Sequence, residues 1–385
     1  MLKMAIVHPH LWVKGGAERV VLKIAQHYDA PIWCSAYNPD ETFAEFRDLE
    51  INVLDTKFKL LLPHALPLRM RAAAIAGWEF YNLKLPDQFD LVNAQGTPSE
   101  WTRHRNAPVL WYCHTPNREA FDLYRWRMSR RTLTQRIPYW VWIQIFKNIE
   151  FSVVPKIERI LVNSANSQAR IKHYLNRDAE VLSPGVDTKV YGCKRYERFF
   201  FYPSRIAPEK RFELAISAFK EFKKHAKGPW RLVIAGSLMR SRPDHVAYYE
   251  KIKKMLGSNG TIMLDISEAK LRDLYARCWT VLYAPVNEDF GIVPLEAGAS
   301  NKPCIAVDEG GPREVVVNGK TGFLINTEKE MAAKMLWLAE RPEAVEQLGK
   351  AARTRIKSNF SWERFFERFD QVTKEVASMQ AGRSR

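Results

Sequence analysis

The chain has 385 residues, 46% hydrophobic and 26% charged, which is long for one core, natural for two domains and unlike a disordered segment. No apolar run approaches the ~20 residues that a membrane span needs, and the first residues lead straight into a strand pattern, so neither a span nor a signal peptide is expected. A net charge of +16 calls for an anionic partner, with nucleic acid, anionic lipid and a phosphorylated substrate all open.

The cysteines (Cys34, Cys113, Cys193, Cys278 and Cys304) are odd in number, scattered and without C-x-x-C spacing. Free thiols, mostly buried, in a reducing and therefore cytoplasmic compartment are expected. The first strand is read at 4–9 (MAIVHP), followed by a loop at 10–16 and a helix from about Ala17. Gly15 and Gly16, in KGGAER, form a turn that delivers backbone N–H groups at a helix start. The full G-x-G-x-x-G spacing is missing, which disfavours a dinucleotide site. Strand patterns recur at 31–36, 51–54, 91–94, 109–113 and 160–163, with helical stretches between most of them. That alternation predicts a parallel sheet with helices on both faces and ligands at the carboxyl ends of its strands. His114, in WYCHTP, stands at one such end and is a candidate on that ground.

Two stretches interrupt the pattern, at 58–85 and 121–147. From 123 to 147 the chain carries Arg125, Arg127, Arg130, Arg131, Arg136 and Lys147 with no acidic residue, interleaved with Trp126, Tyr139, Trp140, Trp142 and Phe146. Cations beside Trp and Tyr suit an anionic membrane interface, with Arg125, Trp126, Arg127, Arg130, Arg131, Trp140 and Trp142 as the contacting set. A buried helix with aromatic core residues is the alternative, and RNA stacking another, although no nucleic-acid motif accompanies it.

A crossing into a second domain is read at 181–187 (VLSPGVD), and strands resume at 199–204, 232–235, 262–264, 281–284 and 304–307. Arg205 and Lys210 bracket a proline turn after the first of these, where two cations can neutralise a diphosphate. Gly236 follows the second strand and would line the same crevice. The segment YAPVNEDFGIVPLEAG then places Glu288 and Glu296 at E-x7-E spacing around Phe290, Gly291 and Ile292. If Gly291 opens a helix, its free N–H groups and the helix dipole can hold an anion. The flanking carboxylates can accept hydrogen bonds from two sets of hydroxyls, so the segment has the layout of a nucleotide-sugar. Gly310-Gly311-Pro312-Arg313-Glu314 is a further tight turn after a strand. At the end, Phe365, Phe366, Phe369 and Val372 recur at helical spacing as a packing face.

These motifs resemble those of retaining GT-B glycosyltransferases of the GT4 type. NEDFGIVPLEA, PCIAVDEGGPREVVVNGKTGFL and WYCHTP are similar to GDP-mannose-dependent mannosyltransferases of lipid-linked oligosaccharide and polysaccharide assembly. The resemblance implies an α/β fold of two Rossmann-like domains facing a cleft: 1–183 on the acceptor side, 184–360 binding the nucleotide-sugar, and 361–385 as a helix crossing back to the first domain. It implies that Gly15 and Gly16 face the donor diphosphate, that His114 contacts the transferred sugar, and that Arg205 and Lys210 hold the leaving group. Glu288 would hold sugar hydroxyls, Glu296 the ribose, and Glu314 would lie near the donor sugar. No D-x-D motif and no metal-spaced cluster is present, so a metal-independent reaction without a cofactor is expected, with GDP-mannose as the donor and a UDP-sugar as the alternative. The expected partners are that donor, a lipid-linked saccharide acceptor and an anionic membrane surface on its inner, cytoplasmic face, with no nucleic acid. A non-catalytic membrane- or RNA-binding scaffold on the same fold is the competing class.

Overall fold

The computed structural model describes residues 2–61, 68–129 and 131–381. Strands β1 (Met4–Leu11), β2 (Ile32–Tyr37), β3 (Ile51–Val53), β4 (Leu91–Gln95), β5 (Val109–Cys113), β6 (Arg159–Val162) and β7 (Glu180–Val181) form one seven-stranded sheet in the order β3-β2-β1-β4-β5-β6-β7. Strands β8 (Phe199–Pro203), β9 (Arg231–Gly236), β10 (Gly260–Leu264), β11 (Thr280–Tyr283), β12 (Cys304–Val307) and β13 (Gly322–Ile325) form a six-stranded sheet in the order β10-β9-β8-β11-β12-β13. Every pairing in both sheets is parallel. Strands such as β5 and β8 are buried along their whole length, as parallel strands covered on both faces must be, and so read as unbroken apolar runs. Sequence reasoning misses β7 and β13. The first has two residues, too few for any period, and the second is a short apolar run that periodicity cannot tell from a piece of helix.

The chain packs as two units, 184–365 and 1–183 together with 366–385. The last helix (Trp362–Ala381) therefore returns to the first unit, as the resemblance implies. Its expected face is real: Phe369, Val372 and Val376 are buried, and Phe366 stacks on His27 with 3.9 Å between ring centroids. Asp370 accepts a hydrogen bond from the Tyr28 hydroxyl at 2.5 Å and lies 3.1 Å from His27 Nε2, while Arg368 forks onto Glu180 at 2.6 and 3.0 Å. Four of the cysteines are buried free thiols and Cys193 is exposed.

Under the first sheet lies the helix Leu133–Val153, opened by a capping box between Thr132 and Gln135. Tyr139, Ile143, Phe146, Glu150 and Val153 recur at helical spacing on its buried side. Glu150 there meets another fully buried carboxyl, Glu100, and accepts a hydrogen bond from Trp101 Nε1 at 2.7 Å. Burial, then repulsion from Glu150, holds the Glu100 carboxyl well above the usual range, and burial raises Glu150 to about 7. Raised carboxyl pKa values mean that the folded chain binds more protons than the unfolded one above pH ~4.3, the unperturbed Glu value. The pair's contribution to stability is thus complete below that pH and lost as pH rises through about 7. Glu100→Gln is expected to flatten this loss and raise the melting temperature at pH 8. Each kcal/mol recovered is worth ~2–4 °C in a unit of this size. Melting curves from pH 5 to pH 8 for both proteins check it; parallel curves would refute it.

Candidate active site

In the second sheet the strand order reverses between β8 and β11, which is where ligands sit in such sheets, beyond the carboxyl ends of the strands. The loop after β8 carries Arg205 and Lys210, and the loop after β11 carries Glu288. The structure brings Lys210 and Glu288 together, with Nζ donating to Oε2 at 2.7 Å and side chains only 11% and 21% exposed. Arg205 stays at the surface, 3.3 Å from Glu209.

Side chains that sequence reasoning did not single out fasten these loops to each other. The buried Tyr202 hydroxyl donates to the Lys210 carbonyl and accepts from the Ala284 N–H at 2.8 Å. Arg211 donates to the carbonyls of Ala284 (2.7 Å) and Pro285 (2.9 Å) and pairs with Glu309, which accepts in turn from the Asn287 N–H at 3.2 Å. The Lys210 and Glu288 loops are therefore one braced unit.

Gly310 and Gly311 press against the same loop. A Cβ on Gly311 would lie 2.2 Å from Phe290 Cα, and one on Gly310 2.5 Å from the Glu288 carbonyl oxygen, so no side chain fits at either position. The Gly311 N–H also donates to that carbonyl at 2.8 Å. Gly291 has φ +91° and caps the helix Ile292–Ala299, as expected from sequence. Phe290 before it is buried, and Ile292 is the first helical residue. Gly236 ends β9 against the Ser204 backbone, beside Arg205. Glu314 lies in the short helix Pro312–Val315 that follows the glycine pair, half-buried, its carbonyl accepting from Arg355 at 2.7 Å.

Glu296 is more enclosed than its expected role required. It is buried, and its carboxylate accepts hydrogen bonds from two buried hydroxyls, Tyr191 at 2.8 Å and Tyr275 at 2.7 Å. Burial and then the Glu296 charge push the Tyr275 phenol well above its ordinary range, so it remains a donor. Neither tyrosine carries a sequence signal: each is one aromatic among many.

The first sheet reverses its order between β1 and β4, and a cavity of about 370 Å³ opens there. His8, His10, Trp12, Glu18 and His114 are among its lining residues. His8 Nε2 lies 3.7 Å from Glu18, His10 stacks on Trp12 at 4.2 Å, and His114 Nε2 is 3.1 Å from Gln95 Oε1. Burial, with His8 nearby, pushes His10 down to about 4 and His114 down to about 3, so both are neutral near pH 7. Gly15 caps and Gly16 begins the helix Gly16–Tyr28, next to Glu18 on the cavity wall.

The basic and aromatic segment divides. Arg125, Trp126 and Trp140 are exposed as expected. Arg127 pairs with Glu119 at 3.0 Å, Arg131 lies over the Tyr139 ring at 3.5 Å, and Trp142 is half-buried against the core. Arg130 lies outside the described residues. The exposed side of the helix Leu133–Val153 is more aliphatic than anticipated: Leu133, Ile137, Val141 and Ile145 follow one another at four-residue spacing, with Trp140 beside them. Among the described residues no helix is long and apolar enough to cross a membrane.

Comparison with known proteins agrees with this geometry. Residues 14–190 match the family model described as Glycosyltransferase Family 4, and residues 187–355 match that of Glycosyl transferases group 1. The alpha-1,3/1,6-mannosyltransferase ALG2 of Mus musculus is 29% identical over 96% of this chain and 95% of its own, and that of Dictyostelium discoideum 25% identical over 97% and 98%. Among solved structures, Anabaena HepE in complex with UDP and glucose superposes with a TM-score of 0.74 at 17% identity, covering 97% of this chain and all (100%) of that one. The sucrose-phosphate synthase of Thermosynechococcus elongatus gives 0.76 at 16% identity over 98% and 100%. The fold is GT-B.

Proposed function

We propose that this chain, a hexosyltransferase whose two halves match the Glycosyltransferase Family 4 and Glycosyl transferases group 1 models, moves mannose from GDP-mannose, with retention of configuration and no metal ion, to a lipid-linked or polysaccharide glycan. The observation that carries this reading is the Lys210–Glu288 pair at the β8/β11 switch point, in a chain alignable over nearly its whole length with mannosyltransferases. A donor entering there would exchange partners with the pair. Its diphosphate takes the Lys210 ammonium, with Arg205 adding a second charge, and Glu288 is released to accept hydrogen bonds from the sugar hydroxyls. Backbone N–H groups at the start of the helix Ile292–Ala299 would add fixed dipoles at the charge that develops on the leaving phosphate. Glu296 would accept from the ribose. The leaving phosphate itself would take the acceptor's proton, a front-face course that requires no carboxylate nucleophile.

Thermal stability against GDP, UDP, ADP and their sugar conjugates tests the donor. A ligand at 100 times its Kd stabilises the native state by about 2.7 kcal/mol. The expected result is a shift with GDP and GDP-mannose; a shift confined to UDP compounds would replace mannose as the sugar, as the UDP complex of HepE makes reasonable to include. Product anomer and chelator treatment test the rest: inversion, or loss of turnover that added divalent ion restores, would overturn the mechanism.

The aliphatic stripe of Leu133, Ile137, Val141 and Ile145, next to Trp140 and the exposed Arg125 and Trp126, supports peripheral docking on an anionic membrane at its cytoplasmic, inner face. Burying a side chain such as Ile is worth roughly 1.5–3 kcal/mol. Ile137→Asp combined with Trp140→Ala is therefore expected to weaken sedimentation with phosphatidylserine vesicles at least ~10-fold without lowering turnover on a soluble acceptor analogue. Unchanged sedimentation would assign the stripe elsewhere.

A further inference from the structure

Gln95, at the end of β4, is fully buried and controls two histidines of the first unit's cavity. Its main-chain carbonyl lies 3.0 Å from His8 Nδ1, and its side-chain Oε1 lies 3.1 Å from His114 Nε2. A carbonyl only accepts, so His8 carries its proton on Nδ1. The His114 contact is settled one step further back. Asn93, also fully buried, donates through Nδ2 to the Leu110 carbonyl across the β4–β5 ladder at 3.1 Å. Its Oδ1 must then face the Gln95 amide, and accepts from Gln95 Nε2 at 2.6 Å. That leaves Gln95 Oε1 as an acceptor, which only a protonated His114 Nε2 can satisfy. Turning either amide over would set two acceptors, or two donors, against each other between side chains that are fully buried.

We infer that Asn93 and Gln95 are positioning residues that hold His114 as its Nε2–H tautomer, leaving Nδ1 as a lone-pair acceptor for a hydroxyl of the sugar handled at this cavity. The inference rests on the sugar-transfer reading and deepens it. It makes His114 a hydroxyl-orienting group, because a nitrogen without a proton repels phosphate oxygens and welcomes an O–H. Two polar side chains in an otherwise apolar buried strand are then explained together. Each would be replaceable by an aliphatic residue if packing were the only demand on it.

The test uses full-length protein with 15N-labelled histidine. In the wild type, His114 is expected to show a protonated Nε2 and an unprotonated Nδ1; the opposite tautomer, or an even mixture, overturns the relay. Gln95→Met keeps the volume and removes the acceptor. His114 should become tautomer-averaged and kcat should fall about 10-fold, the loss expected for one well-placed hydrogen bond, with the donor KM little changed. Gln95→Glu, its buried carboxyl protonated so that the O–H donates to Asn93 Oδ1, restores an acceptor toward His114 and should recover both the Nε2–H signature and most of kcat. A Gln95→Met protein that melts lower but keeps the wild-type tautomer and kcat would overturn the proposal. Because the resonance signature needs no donor, an inactive wild type that still shows it would count against sugar transfer while supporting the relay.

Discussion

Lys210→Ala is expected to lower kcat by about 100- to 1,000-fold, the range seen when one preorganised group that stabilises developing charge is removed. Two properties of the site make the expectation firm. The Lys210 side chain is 11% exposed and its ammonium already lies 2.7 Å from a carboxylate, so it is a fixed charge in a partly dry setting and needs little reorganisation when a diphosphate arrives. The loop that carries it is held by backbone contacts from Tyr202 and by the Arg211–Glu309 brace, none of which involves the Lys210 side chain. The variant should therefore fold and melt close to the wild type. Steady-state rates at saturating donor separate the possibilities. A raised KM with unchanged kcat would mean that Lys210 contributes only binding shared by ground and transition states, and would sink the leaving-group role. Lys210→Arg should recover little, since a planar fork does not occupy the position of a compact ammonium.

Glu296→Ala should damage the second unit in stability as well as in donor binding. It removes the acceptor of two buried phenols at once, and each hydroxyl left unpaired costs ~1–3 kcal/mol. A total loss of ~2–6 kcal/mol is expected in urea melts, together with loss of the thermal shift by GDP-mannose. Glu296→Gln tells the two effects apart. The amide oxygen still accepts from one tyrosine, so stability should largely return, while a neutral amide is a weaker acceptor for ribose hydroxyls and donor affinity should recover only in part. Wild-type donor affinity in either variant would remove Glu296 from the ribose.

The parts of this molecule that were legible in the sequence are those where one residue type at one position has few structural alternatives. Apolar runs marked most of the strands, and charged residues in the loops that follow two of them marked Lys210 and Glu288. The glycine pair Gly310-Gly311 read as a turn, although its reason, close approach to the Glu288–Phe290 backbone, is visible only in three dimensions. Tyr202, Arg211, Glu309, Tyr191 and Tyr275 were illegible because their work is done on groups distant in the chain, and an aromatic in a core run carries no mark of it. Asn93 and Gln95 did leave a trace, two amides inside LVNAQ, where a buried strand should be apolar. The phase of the helix Leu133–Val153 was hidden for another reason. Aromatic residues occur on both its faces, so Trp140 and Trp142 look alike in sequence yet one is exposed and the other packs inward.

The return of the last helix makes the second unit, in chain order, an insert within the first. Synthesis therefore delivers residues 184–365 in full before the first unit receives its final piece. On the ribosome the later-encoded unit can mature first, while Tyr28, His27 and Glu180 wait for Asp370, Phe366 and Arg368. A chain stopped at residue 365 would present the face of the first unit that Phe369, Val372 and Val376 cover, and would be a natural target for chaperone capture.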